Sequence, residues 1–359
     1  MDSVCDPNIT FSDNGCNHCT RFALLKSERT STSEKTLSSL VEKIKKRGYG
    51  RKYDCIVGVS GGVDSSYVLH WAVKNNLRPL AVHVDNGWNS DLSVSNIEIL
   101  IRKLNVPLRS VVLDWEKFRE CQIAVLNKAI PDGEIPTDHG IYSSIWKIAS
   151  ETKTPTILSG MNFWTESINV PYWSYGHMDG KYVASICDIK SNKQLPFSLL
   201  KPFDLFKYSI IKRISSVSIL NYIKYDKKTA LDTLMSLYEY RPYDGKHFES
   251  DYTKFYQAIV LPEQFNIDKR KGHLSDLIYS QQLTREEALR QLSKDIITRE
   301  DRTHLISLVA EKFSMPKDEL YAIIQKPPTS RNSYKSNKKL FNLIKILLQK
   351  LRKFGVYPK

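Results

Sequence analysis

The run SGGVDSS, residues 60–66, has the residue types of a loop that binds phosphate. Gly61 and Gly62 let the backbone approach an anion closely, because neither carries a side chain. Hydroxyl donors are supplied by Ser60, Ser65 and Ser66. The spacing follows neither the Walker order GxxxxGK[ST] nor the dinucleotide-binding order GxGxxG. The loop therefore predicts a pyrophosphate site, and the alternative is a tight turn in which Asp64 only caps a helix.

Strand and helix patterns alternate around this loop. A helix beginning directly after it would add oriented N–H groups and a partial positive charge. Strands are predicted at residues 55–60, 80–85, 109–113 and 156–159. Helices are predicted at residues 40–47, 64–74, 94–104, 118–129 and 142–151. The alternation favours an α/β fold with a doubly wound parallel sheet, whose ligands bind beyond the carboxyl ends of the strands.

The pattern becomes mainly helical from Leu205 onward, which predicts a second, helical region. Its clearest helices are predicted at residues 229–240, 252–260 and 285–294. We therefore divide the 359 residues into four parts. These are a Cys-containing segment at 1–39, the sheet domain at 40–204, the helical region at 205–330 and a basic amphipathic tail at 331–359.

Basic residues outnumber acidic ones, 53 to 39, which gives a net charge of +14. Such an excess favours a polyanionic partner: nucleic acid, an anionic membrane face or a phosphorylated substrate. Residues 331–359 hold nine Lys or Arg and no acid, so most of the excess lies in the tail. No stretch approaches the roughly 20 apolar residues of a spanning helix, and the first residues are polar. We therefore expect a cytoplasmic protein.

Apolar residues recur at helical spacing in the tail, opposite a basic face. They are Leu340, Phe341, Ile344, Leu347, Leu348, Leu351 and Phe354. The pattern is compatible with a helix that packs on the protein's own core. It equally fits a helix peripheral to the inner membrane face, or one that binds a partner.

Three cysteines near the start form a possible structural zinc site. Cys16 and Cys19 make a CxxC, and Cys5 precedes them. Thiolates at this spacing can share one tetrahedral zinc. A complete site usually contains a second pair, so the alternative is a set of reduced thiols without a metal.

The SGGVDS run resembles the PP-loop of the ATP pyrophosphatases, a group that includes asparagine, GMP and NAD synthetases and tRNA-thiolating enzymes. The resemblance implies cleavage of ATP between its α and β phosphates, with Mg²⁺. Asp64 and Glu166 would then hold the metal, while Asn162, in the same SGMNFWTES segment, could equally cap a helix. Asp85 would contact the ribose, unless it is only a solvated loop acid.

A second signature lies in the helical region. It consists of RPYDGKHFESDYTKFYQ (241–257), LPEQFNIDKRKGHLSDLI (261–278) and SQQLTREEAL (280–289). With PTDHG at 136–140 and DPNITF near the start, these segments resemble the N-acetyl sugar amidotransferases of lipopolysaccharide O-antigen and nonulosonic-acid biosynthesis. The resemblance covers most of residues 5–289. It implies that an acetamido group is converted to an acetamidino group through an O-adenylyl intermediate and ammonia.

The resemblance also implies roles for individual residues. Pyrophosphate would be bound by Ser60, Gly61, Gly62, Asp64, Ser65 and Ser66, with Lys201 as a further contact. Lys246 and Arg270 would stabilise phosphate charge in the transition state, oriented by Glu249 and Asp268. Asp138 and His139 would hold the sugar or transfer protons, unless they only support their loop.

In this family the ammonia comes from a glutaminase and a barrel protein resembling imidazole glycerol phosphate synthase. This chain supplies no glutaminase of its own, because Cys121 and Cys187 lack a nucleophile-elbow context. Two other functions stay open: a PP-loop enzyme that modifies tRNA, and a non-catalytic scaffold for the ammonia-producing pair. We do not expect nucleic-acid binding, because the basic excess is concentrated in the tail.

Overall fold

A five-stranded parallel sheet forms the centre of the protein in this computed structural model. The structure describes residues 1–13, 15–29, 34–188, 195–243, 245, 248–330 and 333–353. The sheet strands are β3 (Cys55–Gly58), β4 (Pro79–Asp85), β5 (Leu108–Val112), β6 (Thr156–Ser159) and β7 (Ser215–Ser218), in the order β5-β4-β3-β6-β7. A short antiparallel pair, β1 (Phe11–Ser12) and β2 (Gly15–Cys16), precedes them.

Alternate residues of a strand point to opposite faces of the sheet, and helices cover both faces. Along β3, Cys55 and Val57 join a cluster with Leu69, on the side of the helix that follows the phosphate loop. Ile56 instead packs with Trp146 on the other side. The predicted doubly wound α/β fold is therefore confirmed.

The helices connect the strands and then build the C-terminal half of the chain. Through the sheet they are α1 (Asn17–Arg29), α2 (Glu34–Gly48), α3 (Val63–Lys74), α4 (Asp91–Leu104), α5 (Trp115–Asn127), α6 (Ile135–Glu151), α7 (Phe163–Glu166), α8 (Gly180–Ile186) and α9 (Pro202–Phe206). Beyond the sheet they are α10 (Lys227–Tyr238), α11 (Asp251–Phe255), α12 (Leu261–Phe265), α13 (Lys269–Tyr279), α14 (Arg285–Leu292), α15 (Arg299–Phe313), α16 (Lys317–Ile324) and α17 (Lys338–Lys353). Two π-helical turns (Lys207–Ile211 and Tyr256–Val260) and a 3₁₀ turn (Ile219–Tyr222) complete the set.

The four predicted strands are present, with ends within two residues of those expected. The fifth strand, β7, lies beyond residue 204, in the part of the chain that the pattern predicted to be helical. Its sequence SSVS has too few apolar residues to indicate a strand. Helix α6 also begins earlier than predicted, because Pro136 in its first turn is compatible with a helix. The PTDHG segment is thus helical and not a loop.

No helix of the described residues is both long enough and apolar enough to cross a membrane.

The side chain of Trp88 links the sheet to the C-terminal helices. It follows β4, is fully buried, and lies 5.3 Å from the Tyr252 ring of α11 and 5.5 Å from the Phe313 ring of α15. Its indole N–H donates to Gln122. The backbone continues this link, because the Asp251 N–H donates to the Trp88 carbonyl at 2.9 Å.

Replacing Trp88 by alanine should therefore destabilise the whole chain. Large-to-small changes of this kind cost about 3–5 kcal/mol, since the cavity is only partly filled by relaxation. Urea unfolding followed by circular dichroism measures the loss. Trp88→Phe, which keeps much of the apolar volume, should lose clearly less. An unchanged midpoint for Trp88→Ala would show that this contact does not join the two parts.

Candidate active site

The phosphate loop lies where the strand order of the sheet reverses. β3 pairs with β4 on one side and with β6 on the other. The loops after β3 and β6 therefore diverge around a crevice, which is where ligands bind in open α/β sheets. The two loops approach closely, because a Cβ on Gly160 would lie 3.2 Å from the backbone of Asp64.

Both loop glycines are required by their surroundings. Gly61 has φ +84°, and a Cβ there would lie 2.8 Å from the Ser93 carbonyl oxygen of α4. A Cβ on Gly62 would lie 2.2 Å from Glu249 Oε1. The first position needs a left-handed backbone and the second needs room for a carboxylate, so neither accepts a side chain without movement.

Two tyrosines hold the loop from the C-terminal half of the chain. The hydroxyls of Tyr240 and Tyr243 donate to the Gly61 carbonyl at 2.7 and 3.1 Å. Burial raises the pKa of Tyr240 well above its usual range and that of Tyr243 to about 12, so both stay protonated donors. The N–H and C=O of a trans peptide point in opposite directions. Anchoring the Gly61 carbonyl therefore makes the Gly62 N–H point away from the two tyrosines.

Helix α3 begins directly after the loop without a side-chain cap. Its N-cap is Gly62, which has no side chain to accept from the first turn. The first N–H groups therefore keep their capacity to bind an anion, and the helix dipole adds a partial positive charge. The hydroxyls of Ser60 and Ser65 lie 3.2 Å apart, and Ser65 donates to the Gly62 carbonyl at 3.1 Å. These contacts give the loop the geometry of the predicted pyrophosphate site, and anion binding there stays a prediction.

The loop opens into a cavity of about 750 Å³, a size typical of small-molecule sites. Asp64 and Glu166 both line it, as the predicted metal site requires. The hydroxyl of the buried Tyr225 donates to Asp64 Oδ1. Burial first, and then the charge of Asp64, raise the pKa of Tyr225 well above its usual range. Two carboxylates beside a phosphate loop are the ligand type that Mg²⁺ prefers.

Arg270 lines the cavity, but its guanidinium is used within the protein. It donates to Asp268 at 2.9 Å and to the Lys294 carbonyl beyond the end of α14, also at 2.9 Å. Asp268 thus orients Arg270, as expected, whereas Glu249 lies beside Gly62. The role of Arg270 towards phosphate stays a prediction, and Lys246 lies outside the described residues. Other cations on the cavity wall are Lys227, Lys269 and Lys294.

Asp138 does not line the cavity but lies near Glu134 and near Lys269, which does. Lys269 lies 3.9 Å from Glu134, which also accepts from Gln257 at 3.3 Å. Asp138 is exposed, but the surrounding protein removes part of the hydration of its carboxyl. This desolvation, and then the charge of Glu134, raise its pKa to about 7 against the pull of Lys269. Burial likewise raises the pKa of Asp132 to about 6.

His139 and Lys201 do not line the cavity. Nδ1 of the fully buried His139 ring donates to the His177 carbonyl at 2.5 Å, and its Nε2 accepts from the Leu200 N–H at 3.1 Å. Burial lowers the pKa of His139 to about 4. Both ring nitrogens are thus bonded to backbone groups, and a role for His139 in the reaction stays a prediction. Lys201 is exposed at the start of α9, where its N–H donates to Asp204 at 2.9 Å.

Two other predicted binding residues lie outside the cavity wall. Asp85 accepts from the Gly87 N–H at 2.9 Å and from the Asn89 amide at 3.0 Å, so it shapes the loop after β4. Its contact with ribose stays a prediction. Ser66 is buried within the first turn of α3. Asn162 caps α7, since its side chain accepts from the Thr165 N–H at 2.9 Å.

The three cysteines of the possible zinc site are not gathered into one cluster. The sulfurs of Cys16 and Cys19 lie 3.6 Å apart, close to the roughly 3.8 Å of two thiolates on one tetrahedral zinc. Cys5 instead contacts the Asn266 carbonyl at 3.8 Å. No group of three or more metal-binding side chains occurs among the described residues. Zinc at Cys16 and Cys19 stays a prediction.

Sequence reasoning missed the tyrosines that position the loop. Tyr225, Tyr240 and Tyr243 act on residues more than 150 positions away in the sequence. The only signal is the density of aromatic residues around the second signature. That density does not indicate which oxygen accepts a hydrogen bond from each tyrosine hydroxyl.

Alanine should lower the free energy of unfolding more at Gly61 than at Gly50. Both positions have a left-handed backbone, but only at Gly61 would the added Cβ meet Ser93. Gly50 has φ +71°, and a Cβ added there would have nothing within 4 Å, so this position tests the backbone conformation alone. Gly50→Ala should cost about 1 kcal/mol, and Gly61→Ala about 3 kcal/mol because strain and overlap add. Urea unfolding compares them. Equal losses would contradict the close approach of α4.

The raised pKa of Asp138 predicts a stability that depends on pH. A carboxyl whose folded pKa lies near 7 stabilises the native state fully below about pH 4, and this contribution is lost as pH rises towards 7. From pH 5 to 8, Asp138→Asn should gain about 1 kcal/mol in unfolding free energy relative to the wild type, a value reduced for exposure. Asp232→Asn, on an exposed face of α10, is the control. Parallel pH profiles for Asp138→Asn and the wild type would contradict this assignment.

Comparison with known proteins gives one family match and several structural ones. Residues 249–351 match the family model described as LPS biosynthesis protein WbpG-like, C-terminal domain. No curated protein matches the sequence significantly. Similar solved chains include NMN synthetase from Francisella tularensis, at 15% identity over 71% of this chain and 96% of that one, with a TM-score of 0.32. Another is the NH₃-dependent NAD synthetase from Campylobacter jejuni subsp. jejuni in complex with the nitrate ion, at 12% identity over 82% and 98%, with a TM-score of 0.30.

The family match extends the resemblance towards the end of the chain. It begins at Glu249, beside the phosphate loop, and ends at residue 351, within α17. Most of the tail, which the sequence analysis placed beyond the resembling segments, therefore belongs to the matched region. The C-terminal part of this chain is similar to a family of lipopolysaccharide biosynthesis proteins.

Proposed function

We propose that the protein is an ATP-dependent N-acetyl sugar amidotransferase, a carbon–nitrogen ligase that releases AMP and pyrophosphate. The observation that carries the proposal is the uncapped start of α3, which opens on the same cavity as Asp64 and Glu166. The family match supports a place in lipopolysaccharide biosynthesis. The proposed substrate is an acetamido sugar, nucleotide-linked or a nonulosonic acid, of O-antigen or nonulosonic-acid biosynthesis in the cytoplasm.

In this mechanism the loop binds the part of ATP that leaves. The β and γ phosphates lie against the Gly62 N–H, the first turn of α3 and the hydroxyls of Ser60 and Ser65. Asp64 and Glu166 would hold Mg²⁺, which when bound would supply positive charge to the departing pyrophosphate. Tyr225 fixes the Asp64 carboxylate by donating to one of its oxygens.

The chemistry joins two displacements. The acetamido oxygen attacks the α phosphorus, and the bond to pyrophosphate breaks. Ammonia then attacks the imidate carbon and gives up a proton, and the C–O bond to AMP breaks, leaving the acetamidino group. Asp138, which lies near Lys269 of the cavity wall and has its pKa raised to about 7, is the proposed acceptor of that proton.

Ammonia is expected from outside this chain. Free ammonia is mostly protonated at neutral pH, so a sheltered supply favours the second step. Proteins of the glutaminase and barrel type, resembling imidazole glycerol phosphate synthase, are the proposed donors. High ammonium should then replace them in a purified system.

Asp64→Asn should abolish pyrophosphate release from ATP in the presence of an acetamido sugar and ammonium, with a loss of at least a hundredfold. The physical reason is that one of two metal ligands is lost while the side-chain size is kept. Coupled detection of pyrophosphate measures turnover, and mass spectrometry detects the one-dalton loss as oxygen is replaced by NH. Asp232→Asn on α10 is the matched control and should retain full activity.

Two outcomes would contradict the proposal. Turnover by Asp64→Asn at the wild-type rate would remove the metal site from the mechanism. Absence of pyrophosphate release with every acetamido sugar, at saturating ammonium and with the fold intact, would favour a non-catalytic scaffold.

A further inference from the structure

Helix α17 has one apolar side packed on the protein and another that is exposed. Phe341 and Ile344 pack against the cluster around Trp146, on one face of the sheet. Leu343 and Leu347, one turn apart along the helix, are 63% and 44% exposed. The apolar face of α17 thus extends beyond the residues that pack on the core.

This exposed side belongs to a helix that is fixed in place at its start. The Asn337 N–H donates to Asp179 at 2.7 Å. The Lys338 ammonium lies 4.9 Å from the centre of the Tyr175 ring. The exposed leucines are therefore presented by the folded protein.

A second element adds apolar surface beside α17. Helix α9 contacts α17 and carries Phe203, which is 67% exposed. Lys201, Lys338 and Lys339 are exposed on the same two helices. Protruding apolar side chains with lysines around them are typical of surfaces that enter the headgroup region of a bilayer.

We propose that α17, together with Phe203, binds the surface of an anionic membrane. Charge complementarity selects this occupant, because residues 331–359 hold nine basic residues and no acidic one. Mobile anionic headgroups can neutralise cations spread along a helix, whereas a protein partner would need acids at fixed positions. A second copy of the same face would oppose cations to cations, which disfavours self-association.

Co-sedimentation of the full chain with vesicles tests the proposal without ATP or sugar. Wild-type protein should bind vesicles of phosphatidylglycerol and phosphatidylcholine at least tenfold more tightly than vesicles of phosphatidylcholine alone. Raising the salt from 0.1 to 0.5 M should weaken this binding severalfold, since the lysines are exposed. The double variant Leu343→Asp/Leu347→Asp should lose at least tenfold in affinity.

The matched control is Leu24→Asp/Leu289→Asp. These leucines are 59% and 53% exposed on α1 and α14, and their replacement adds the same two charges elsewhere. The control should bind within twofold of the wild type, and both variants should keep the wild-type circular dichroism and thermal midpoint. Binding that is equal for the two double variants, or equal for anionic and neutral vesicles, would overturn the proposal. So would self-association through this face, seen as a doubled mass in sedimentation, with no binding to vesicles.

Discussion

The orientation of the peptide between Gly61 and Gly62 is the constraint on which the site depends. Its carbonyl is held by Tyr240 and Tyr243, so its N–H points the opposite way, towards the hydroxyl of Ser60. The same loop is closed in by Ser93 on one side and Glu249 on the other. Strand β3 sets where this peptide lies, but residues far away in the sequence set the direction in which its carbonyl and N–H point.

The C-terminal helices are therefore part of the site and not an addition to it. The Ser90 N–H donates to the Glu249 carbonyl at 3.0 Å, which joins the segment before α11 to the loop after β4. The N-terminal segment supports the opposite wall, since Trp173 donates to the Cys5 carbonyl at 2.7 Å. Phe22 of α1 also lies 5.8 Å from Phe163, which belongs to α7 together with Glu166. Three sequence regions thus converge on one cavity.

The fold and the loop could be predicted from sequence because their signals are local. An apolar β-branched run followed by SGGVDSS specifies a strand, a tight turn and a helix within 20 residues. His139 shows the limit of such reasoning: its residue type suggests proton transfer, but its sequence context does not reveal that both ring nitrogens bond to backbone groups. Arg270 is similar, because the carbonyls that occupy it come from α14 and beyond. Serine-rich β7 was missed because a parallel edge strand can form with little apolar sequence.

The charge of the chain separates into two parts with different physical consequences. Six acidic and four basic side chains line the cavity among the described residues, so its wall is not a basic surface despite the overall +14. Arg270 is further neutralised by Asp268. A polyphosphate entering alone would meet net repulsion from these carboxylates, relieved in part by the lysines of the wall and by N–H groups at α3. Under the proposed function, Asp64 and Glu166 therefore favour a nucleotide that arrives with a divalent cation, since the same carboxylates that repel bare ATP attract the metal complex. The cations of residues 331–359 have no acid near them in sequence, and none of those described at 333–353 lines the cavity.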